Sequence, residues 1–94
     1  MENYLEKKKQ VRDEIMDIIK DNNYLFSNLN LSKKDMEHVV EISISILMGK
    51  RYNYPYGSFV ESVINNDLYS ATIKADSVNI KALPFYAMLN KLYI

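Results

Sequence analysis

The chain has 94 residues, no cysteine, and equal numbers of acidic and basic residues, 12 of each, so its formal net charge is zero. This length predicts a single domain, residues 1–94, with one small core. The absence of cysteine excludes disulfides, thiolate metal sites and thiol nucleophiles. Zero net charge gives no general attraction to nucleic acid or anionic membranes, and it favours self-association because copies repel each other weakly.

The first ten residues, MENYLEKKKQ, are charged and lack the apolar segment of a signal peptide. No apolar run approaches the length of a membrane span, so we expect a soluble intracellular protein that does not bind membranes. Two glycines and two prolines are too few for the turns of a β-sandwich or barrel. The predicted fold class is therefore all-α, a compact bundle of four to five helices.

Residues 2–22 predict an amphipathic helix. Its charged face lies opposite an apolar stripe at helical spacing, formed by Leu5, Val11, Ile15, Ile18 and Ile19. Asn22 and Asn23 are expected to end the helix, since asparagine tolerates the left-handed conformation. The apolar connector 23–31 is expected to fold back against the core with a short helical turn.

A second helix is predicted for residues 33–49. Ser32 and Asp35 have the spacing of an N-terminal capping box, and Gly49 is a suitable C-cap. Apolar residues lie on most sides of this helix, which predicts a central position and some exposed apolar surface for oligomerisation. Residues 42–46 alternate with period two, as a strand would, but the cap and the length of the segment favour a helix.

The segment 50–56 predicts a loop, because Pro55 disfavours helical conformation in the residue before it. Gly57 is expected to supply a positive φ. Ser58 and Glu61 then match a second capping box. A helical pattern continues to residue 75, and the polar stretch 65–67 either breaks it or forms a turn within one longer helix.

Asp76 is the predicted N-cap of a last helix over residues 77–92. Pro84 lies inside this pattern and is expected to kink the helix or split it at Leu83, since proline cannot donate to the helical hydrogen bonds. The predicted core face consists of Leu83, Tyr86, Ala87, Leu89, Leu92 and Tyr93.

Residues 57–90 carry a series of short motifs at fixed spacing. In order, these are Gly57 with Phe59, Asn66-Asp67-Leu68, Ala71, Ala75-Asp76 with Asn79, Ala82-Leu83-Pro84, and Leu89-Asn90. The series resembles a family of short phage and prophage proteins without an assigned role. The resemblance does not extend to the first 50 residues. It implies a small helical phage-type protein and carries over no catalytic or binding residues.

One segment combines basic and aromatic side chains. The predicted loop contains Lys50, Arg51, Tyr52, Tyr54 and Tyr56. Basic groups beside planar rings bind phosphates and stack on bases, and tyrosine and arginine also dominate the energetics of protein interfaces. Alternatively, the tyrosines cover the edge of the core with their hydroxyls in water. These five are the predicted binding residues for a partner protein or a nucleotide.

A second polar set marks predicted helix boundaries, and it consists of Asn66, Asp67, Asp76 and Asn79. Short acidic side chains accept hydrogen bonds from the free amides at helix starts, and asparagine bonds to local backbone. This favours a structural role. In the alternative, the four line one polar pocket that holds a ribose, a base edge or Mg²⁺, although their spacing fits no known metal loop.

The sequence contains no motif typical of catalysis. His38 is the only histidine, and no cysteine or second histidine accompanies it as a zinc ligand. A His–Ser dyad has no glycine-rich elbow to support it. Phosphate-binding loops, dinucleotide fingerprints and spaced carboxylate pairs are also absent. We therefore expect no enzymatic activity, no metal and no cofactor.

Three functional hypotheses follow. The first is a non-catalytic phage-type accessory protein that binds and inhibits a host protein in the host-cell cytoplasm, in counter-defence of an anti-CRISPR-like kind. The second is an oligomeric sponge that sequesters a nucleotide signal at residues 50–56. The third is a small helix-turn-helix regulator built from residues 58–75 and 77–92. DNA is the least favoured partner, because the chain is neutral and the second of these helices has few outward basic or amide side chains.

Overall fold

Five α-helices form the regular structure of residues 3–93, the part of the chain that the computed structural model describes. They are α1 (Tyr4–Asp21), α2 (Lys33–Tyr52), α3 (Ser58–Ile64), α4 (Leu68–Lys74) and α5 (Ser77–Leu92). These residues contain no strand, so the predicted all-α bundle is confirmed. None of the five helices is long and apolar enough to cross a membrane.

Helix α1 begins at Tyr4, where the Asn3 side chain accepts a hydrogen bond from the Glu6 amide at 2.8 Å. The predicted start at residue 2 lies outside the described residues. The buried face consists of Val11, Ile15 and Ile18. Leu5 was predicted to belong to this stripe but is 72% exposed, because the first turns of the helix lie beyond its buried part.

The connector after α1 packs against the core, as predicted. It contains a 3-10 turn over Asn23–Leu25, and the ring of Phe26 is buried at 5.0 Å from that of Phe85 in α5. Asn22 ends α1 with φ −121° rather than in the left-handed conformation, and its side chain donates to the Ile18 carbonyl.

Helix α2 is the centre of the bundle. The predicted capping box is present, because Ser32 accepts from the Asp35 amide and Asp35 accepts from the Ser32 amide. The segment 42–46 is helical. Side chains are buried along most of the helix, including Val39, Ile46 and Leu47, so the apolar surface that we expected α2 to offer for oligomerisation lies largely inside the protein.

Helix α2 continues three residues beyond its predicted end. Gly49 is buried within the helix, and Asn53 is the C-cap, in the left-handed conformation with φ 59°. A Cβ added at Gly49 would lie 2.5 Å from a ring carbon of Tyr56. The glycine is therefore explained by close packing of this ring, and the predicted C-cap at residue 49 is wrong.

The start of α3 also differs from the prediction. Gly57 is the N-cap with φ −83°, so the expected positive φ is absent, and Ser58 is the first helical residue, with no side-chain capping bond at this end. After α3 the chain breaks at residues 65–67, where Asn66 has φ 58°. Asp67 then caps α4 by accepting from the Ser70 amide.

Helix α5 begins as predicted, with Asp76 accepting from the Asn79 amide at 2.7 Å. It continues through Pro84, so the predicted split at Leu83 does not occur. The proline is exposed and its ring causes no break in the helix. The buried face consists of Asn79, Ala82, Phe85, Tyr86 and Leu89, whereas Ala87 and Leu92 were assigned to it and are exposed.

Candidate functional site

The two basic residues of the predicted binding segment are engaged inside the protein. Both lie in the last turn of α2 rather than in a loop. Lys50 Nζ donates to the Asn90 carbonyl of α5 at 2.9 Å. Arg51 donates to both Glu14 carboxylate oxygens, at 2.6 and 2.8 Å, and to the Tyr93 carbonyl at 2.9 Å. These contacts join α2 to α1 and α5, so Arg51 is paired with a carboxylate and Lys50 with a backbone carbonyl.

The electrostatics of the Arg51–Glu14 pair agree with a structural role. Hydrogen bonds from Arg51 lower the pKa of the Glu14 carboxyl, against an opposing effect of partial burial. The same hydrogen bonds raise the pKa of the guanidinium. A guanidinium group that donates to both oxygens of one carboxylate is the strongest geometry for such a pair.

The tyrosines of the segment contact the start of α1 instead. The Tyr54 ring lies 4.9 Å from that of Tyr4, edge to face, and 6.3 Å from that of Tyr52. Lys7 Nζ lies 4.8 Å from the centre of the Tyr52 ring and 5.9 Å from that of Tyr54. We call these four residues the tyrosine surface. Tyr4 is 44% and Tyr52 39% exposed, so part of each ring is open to a partner.

Tyr56 lies apart from this surface. Its ring packs over Gly49, within contact distance of where a side chain at that position would begin. The residue is 39% exposed. The structure therefore divides the five predicted binding residues into three groups: two internal cations, two members of the tyrosine surface, and one ring that covers α2.

A shallow cleft of about 350 Å³ adjoins the tyrosine surface. Its lining includes Tyr4 and Lys8 from α1, Glu41 and Ser45 from α2, and Tyr54. Glu41 forms ion pairs with Lys8 at 3.8 Å and with Arg12. An anionic ligand in this cleft would meet the Glu41 carboxylate, which disfavours a phosphate group there.

The second predicted set of polar residues does not share one pocket. Asn66 and Asp67 border an apolar groove between α3, α4 and α5. Asp76 borders a separate open cleft beside His38, whose Nε2 lies 2.9 Å from its carboxylate. Asn79 is buried. The helix-capping roles of the two aspartates are present, whereas the ribose, base-edge or cation pocket has no counterpart in this geometry.

Asn79 and Tyr86 form the buried polar contact of the core. The Tyr86 hydroxyl donates to Asn79 Oδ1 at 2.7 Å. Burial raises the pKa of this phenol, which keeps it protonated and able to donate. A buried carbonyl oxygen with a matched donor contributes to stability, so Asn79 has a structural role on the inner face of α5.

His38 and Asp76 join α2 to the start of α5. Burial raises the pKa of Asp76, but hydrogen bonds from the Asn79 amide and from His38 outweigh it, so the net shift is downward. Both side chains remain about half exposed, at 41% and 55%. Within residues 3–93, no group of three histidine, aspartate or glutamate side chains is arranged to hold a metal ion.

Sequence reasoning missed Tyr4 and Lys7. Lys7 lies on the predicted charged face of the first helix, and Tyr4 precedes the apolar stripe. The available signal was their spacing of three residues, which places both on one side of a helix. No family model matches the chain, and neither a search of curated proteins nor one of solved structures finds a match.

Proposed function

We propose that the protein is a non-catalytic binding protein that inhibits a host protein through the tyrosine surface, in counter-defence. The observation that supports this most directly is the cluster of the exposed Tyr4 and Tyr52 with the half-buried Tyr54, with the Lys7 ammonium over two of the rings. Such a surface has both apolar area and polar tips, which is the composition of binding hot spots.

The chemistry of this surface favours a protein partner. Tyrosine rings provide large contact area at a low cost in side-chain entropy, and their hydroxyls keep the free surface soluble. Lys7 adds one positive charge, whose ammonium lies over the Tyr52 ring. We therefore expect the partner to present apolar side chains together with a carboxylate.

Inhibition follows from steric occlusion rather than from chemistry on the partner. A chain of 94 residues covers a standard interface of roughly 800 Å² per partner, which is enough to block an active site or a binding face. The resemblance of residues 57–90 to short phage and prophage proteins supports a phage protein that acts in the host cytoplasm, and counter-defence is the role we propose for it there. The phage-type role that the resemblance implies stays a prediction.

The two alternative functions have less support. A nucleotide sponge rested on Lys50 and Arg51, which bind a carbonyl and a carboxylate inside the protein. A helix-turn-helix regulator needs an outward polar face on α5, yet Ile80, Pro84 and Ala87 are among the exposed residues of that helix. Thermal stabilisation by nucleotides tests the sponge, and its absence contradicts that function. Salt-sensitive DNA binding tests the regulator, and its absence contradicts that function.

The experiment is affinity capture from host lysate with mass spectrometry, followed by phage infection of defended hosts that express the protein. The test variant is Tyr4→Ser with Tyr52→Ser. The matched control is Tyr24→Ser, because Tyr24 is 71% exposed and lies in the connector after α1, outside the tyrosine surface.

We expect the wild type and the control to retain one stoichiometric host partner and to protect the infecting phage. The double variant should remain folded by circular dichroism but lose both activities. Capture of no host protein by the wild type, or equal capture by the double variant, contradicts the proposal. A change of Lys7 to Glu should weaken capture most at low salt, since rim charges act mainly through long-range attraction.

A further inference from the structure

Helix α4 exposes its largest side chains. Leu68, Tyr69 and Ile73 are 72%, 77% and 67% exposed, and Ala71 is the buried residue of this helix. A peripheral helix normally turns its large apolar residues towards the core. Single exposed apolar residues are common on monomers, but adjacent ones on one short helix indicate an interaction site.

An apolar groove of about 230 Å³ lies beside these side chains, between α3, α4 and α5. Leu68 and Ala71 form one wall, and Leu83, Pro84 and Ala87 form the other. The groove is open because the alanines that line it are small. Its volume is below the range of roughly 300–1,000 Å³ for drug-sized ligands, and it is of the size that takes one or two side chains.

An exposed apolar side chain and the groove adjoin at Leu68, which both lines the groove and is 72% exposed. Tyr69 and Ile73 lie on the outward side of α4, opposite to the buried Ala71. A two-fold interface requires such a self-complementary patch, because each copy presents the same surface to the other. In that arrangement the outward side of α4 on one copy packs against the same side of α4 on the other, with Leu68 beside the groove.

The available area fits a second copy. Taking roughly 200 Å² for each fully exposed large side chain, the exposed fractions of Leu68, Tyr69 and Ile73 leave roughly 430 Å² on each copy. Ile80, 41% exposed and one turn before Pro84 on α5, raises this to roughly 500 Å². Complete burial of these four side chains on both copies amounts to roughly 1,000 Å², which reaches the lower bound for a specific interface.

Charge also favours pairing of identical copies. The formal net charge is zero, so the copies do not repel each other. Helix α4 has the acidic Asp67 at its N-terminal end and the basic Lys74 at its C-terminal end. An antiparallel crossing of two α4 helices brings the acidic end of each towards the basic end of the other.

From these observations we propose that the protein forms a two-fold homodimer through α4 and the adjoining groove. The proposal is independent of the proposed function, since the tyrosine surface lies on α1, α2 and the segment after α2. The apolar composition fits a long-lived contact between copies, because permanent interfaces are more apolar than transient ones.

The test is sedimentation equilibrium of the full chain over a wide concentration range. The test variant is Leu68→Ser with Tyr69→Ser, and the control is Leu5→Ser with Tyr24→Ser. The two pairs match in residue type and exposure, at 72% and 77% against 72% and 71%. All four side chains are exposed in one copy, so neither pair of changes is expected to unfold the monomer.

We expect the wild type and the control to show a concentration-dependent monomer–dimer equilibrium. The test variant should have a dissociation constant higher by at least roughly tenfold, as for loss of an interface hot spot. A second variant, Ala87→Arg, places a long charged side chain in the groove and should have the same effect. A wild type that stays monomeric, that forms open-ended oligomers, or that pairs as well with these changes as without them overturns the proposal.

Discussion

Replacement of Arg51 by alanine, alone and together with Glu14→Ala, separates a structural role of this arginine from a binding role. Arg51 donates two hydrogen bonds to one carboxylate, at 2.6 and 2.8 Å, and the two side chains are 22% and 37% exposed. Hydrogen bonds to charged groups contribute up to about 3 kcal/mol, whereas exposed ion pairs contribute at most about 1 kcal/mol. Because this pair is bidentate but partly solvated, we expect a coupling free energy of about 1 kcal/mol.

Urea unfolding of the wild type, the two single variants and the double variant measures this coupling. The hydrogen bond from Arg51 to the Tyr93 carbonyl is lost in both proteins that lack the arginine, so it cancels from the cycle. The slope for a chain of this size is roughly 1 kcal/mol per M urea, and the coupling therefore corresponds to a non-additivity of roughly 1 M in the midpoint. Arg12 and Glu41, 44% and 49% exposed, form the control pair, with an expected coupling below about 0.5 kcal/mol.

A coupling for Arg51 and Glu14 no larger than that of the control pair would refute the structural interpretation. Arg51 would then return to the candidate binding residues. The same variants in the partner-capture assay give an independent comparison. If Arg51 acts only through the fold, the double variant binds the partner normally at temperatures where it is fully folded.

Three further predictions concern acid stability, the buried polar contact and the glycine of α2. Because the folded-state pKa of Glu14 is lowered, its contribution is present above its ordinary pKa of 4.5 and is lost as the pH falls through the folded value. Glu14→Gln should therefore flatten the loss of melting temperature below about pH 4.5. Tyr86→Phe leaves the buried Asn79 oxygen without its donor and should reduce the free energy of unfolding by about 1–3 kcal/mol. Gly49→Ala should stabilise the protein, by at most about 1 kcal/mol, only in a Tyr56→Ser background, because in the wild type the added methyl group meets the Tyr56 ring, whereas the remaining contact with the end of the Ile64 side chain, at 3.3 Å, needs only a small shift.

Local signals predicted most of the fold. The capping box of Ser32 and the caps at Asp67 and Asp76 are formed by side chains within three residues of the amides that they bind. Such contacts are encoded in a few consecutive residues and can be identified from spacing alone. The apolar connector after α1 was likewise identified, because its composition is incompatible with an exposed loop.

The end of α2 could not be predicted in this way. Gly49 is a frequent residue at helix ends, yet here it serves the packing of a tyrosine that lies seven residues later. The three residues by which α2 extends beyond it place Lys50 and Arg51 on the helix, where they reach α5 and α1. The predicted end of α2 was less than one helical turn too early. For that reason, two residues that contact neighbouring helices were assigned to a binding loop.

The tyrosine surface depends on how two helices meet. Helices α1 and α2 pack side by side, with the start of α1 near the end of α2. Here this brings Tyr4 and Lys7 to residues 52–54. Single-sequence patterns identify each helix but not the rotation of one about the other, so the partners of Tyr52 and Tyr54 had to come from the structure.

The two proposed interfaces reinforce each other when they are considered together. A homodimer through α4 presents two tyrosine surfaces, and a host factor with more than one copy of its binding site would engage both. The second contact is then intramolecular, which raises avidity by a factor of roughly 100 or more without any new interaction. The Leu68→Ser, Tyr69→Ser variant should therefore bind a single partner copy as the wild type does, yet dissociate much faster from an oligomeric partner. If the wild type and this variant dissociate from an oligomeric partner at equal rates, dimerisation does not contribute to inhibition.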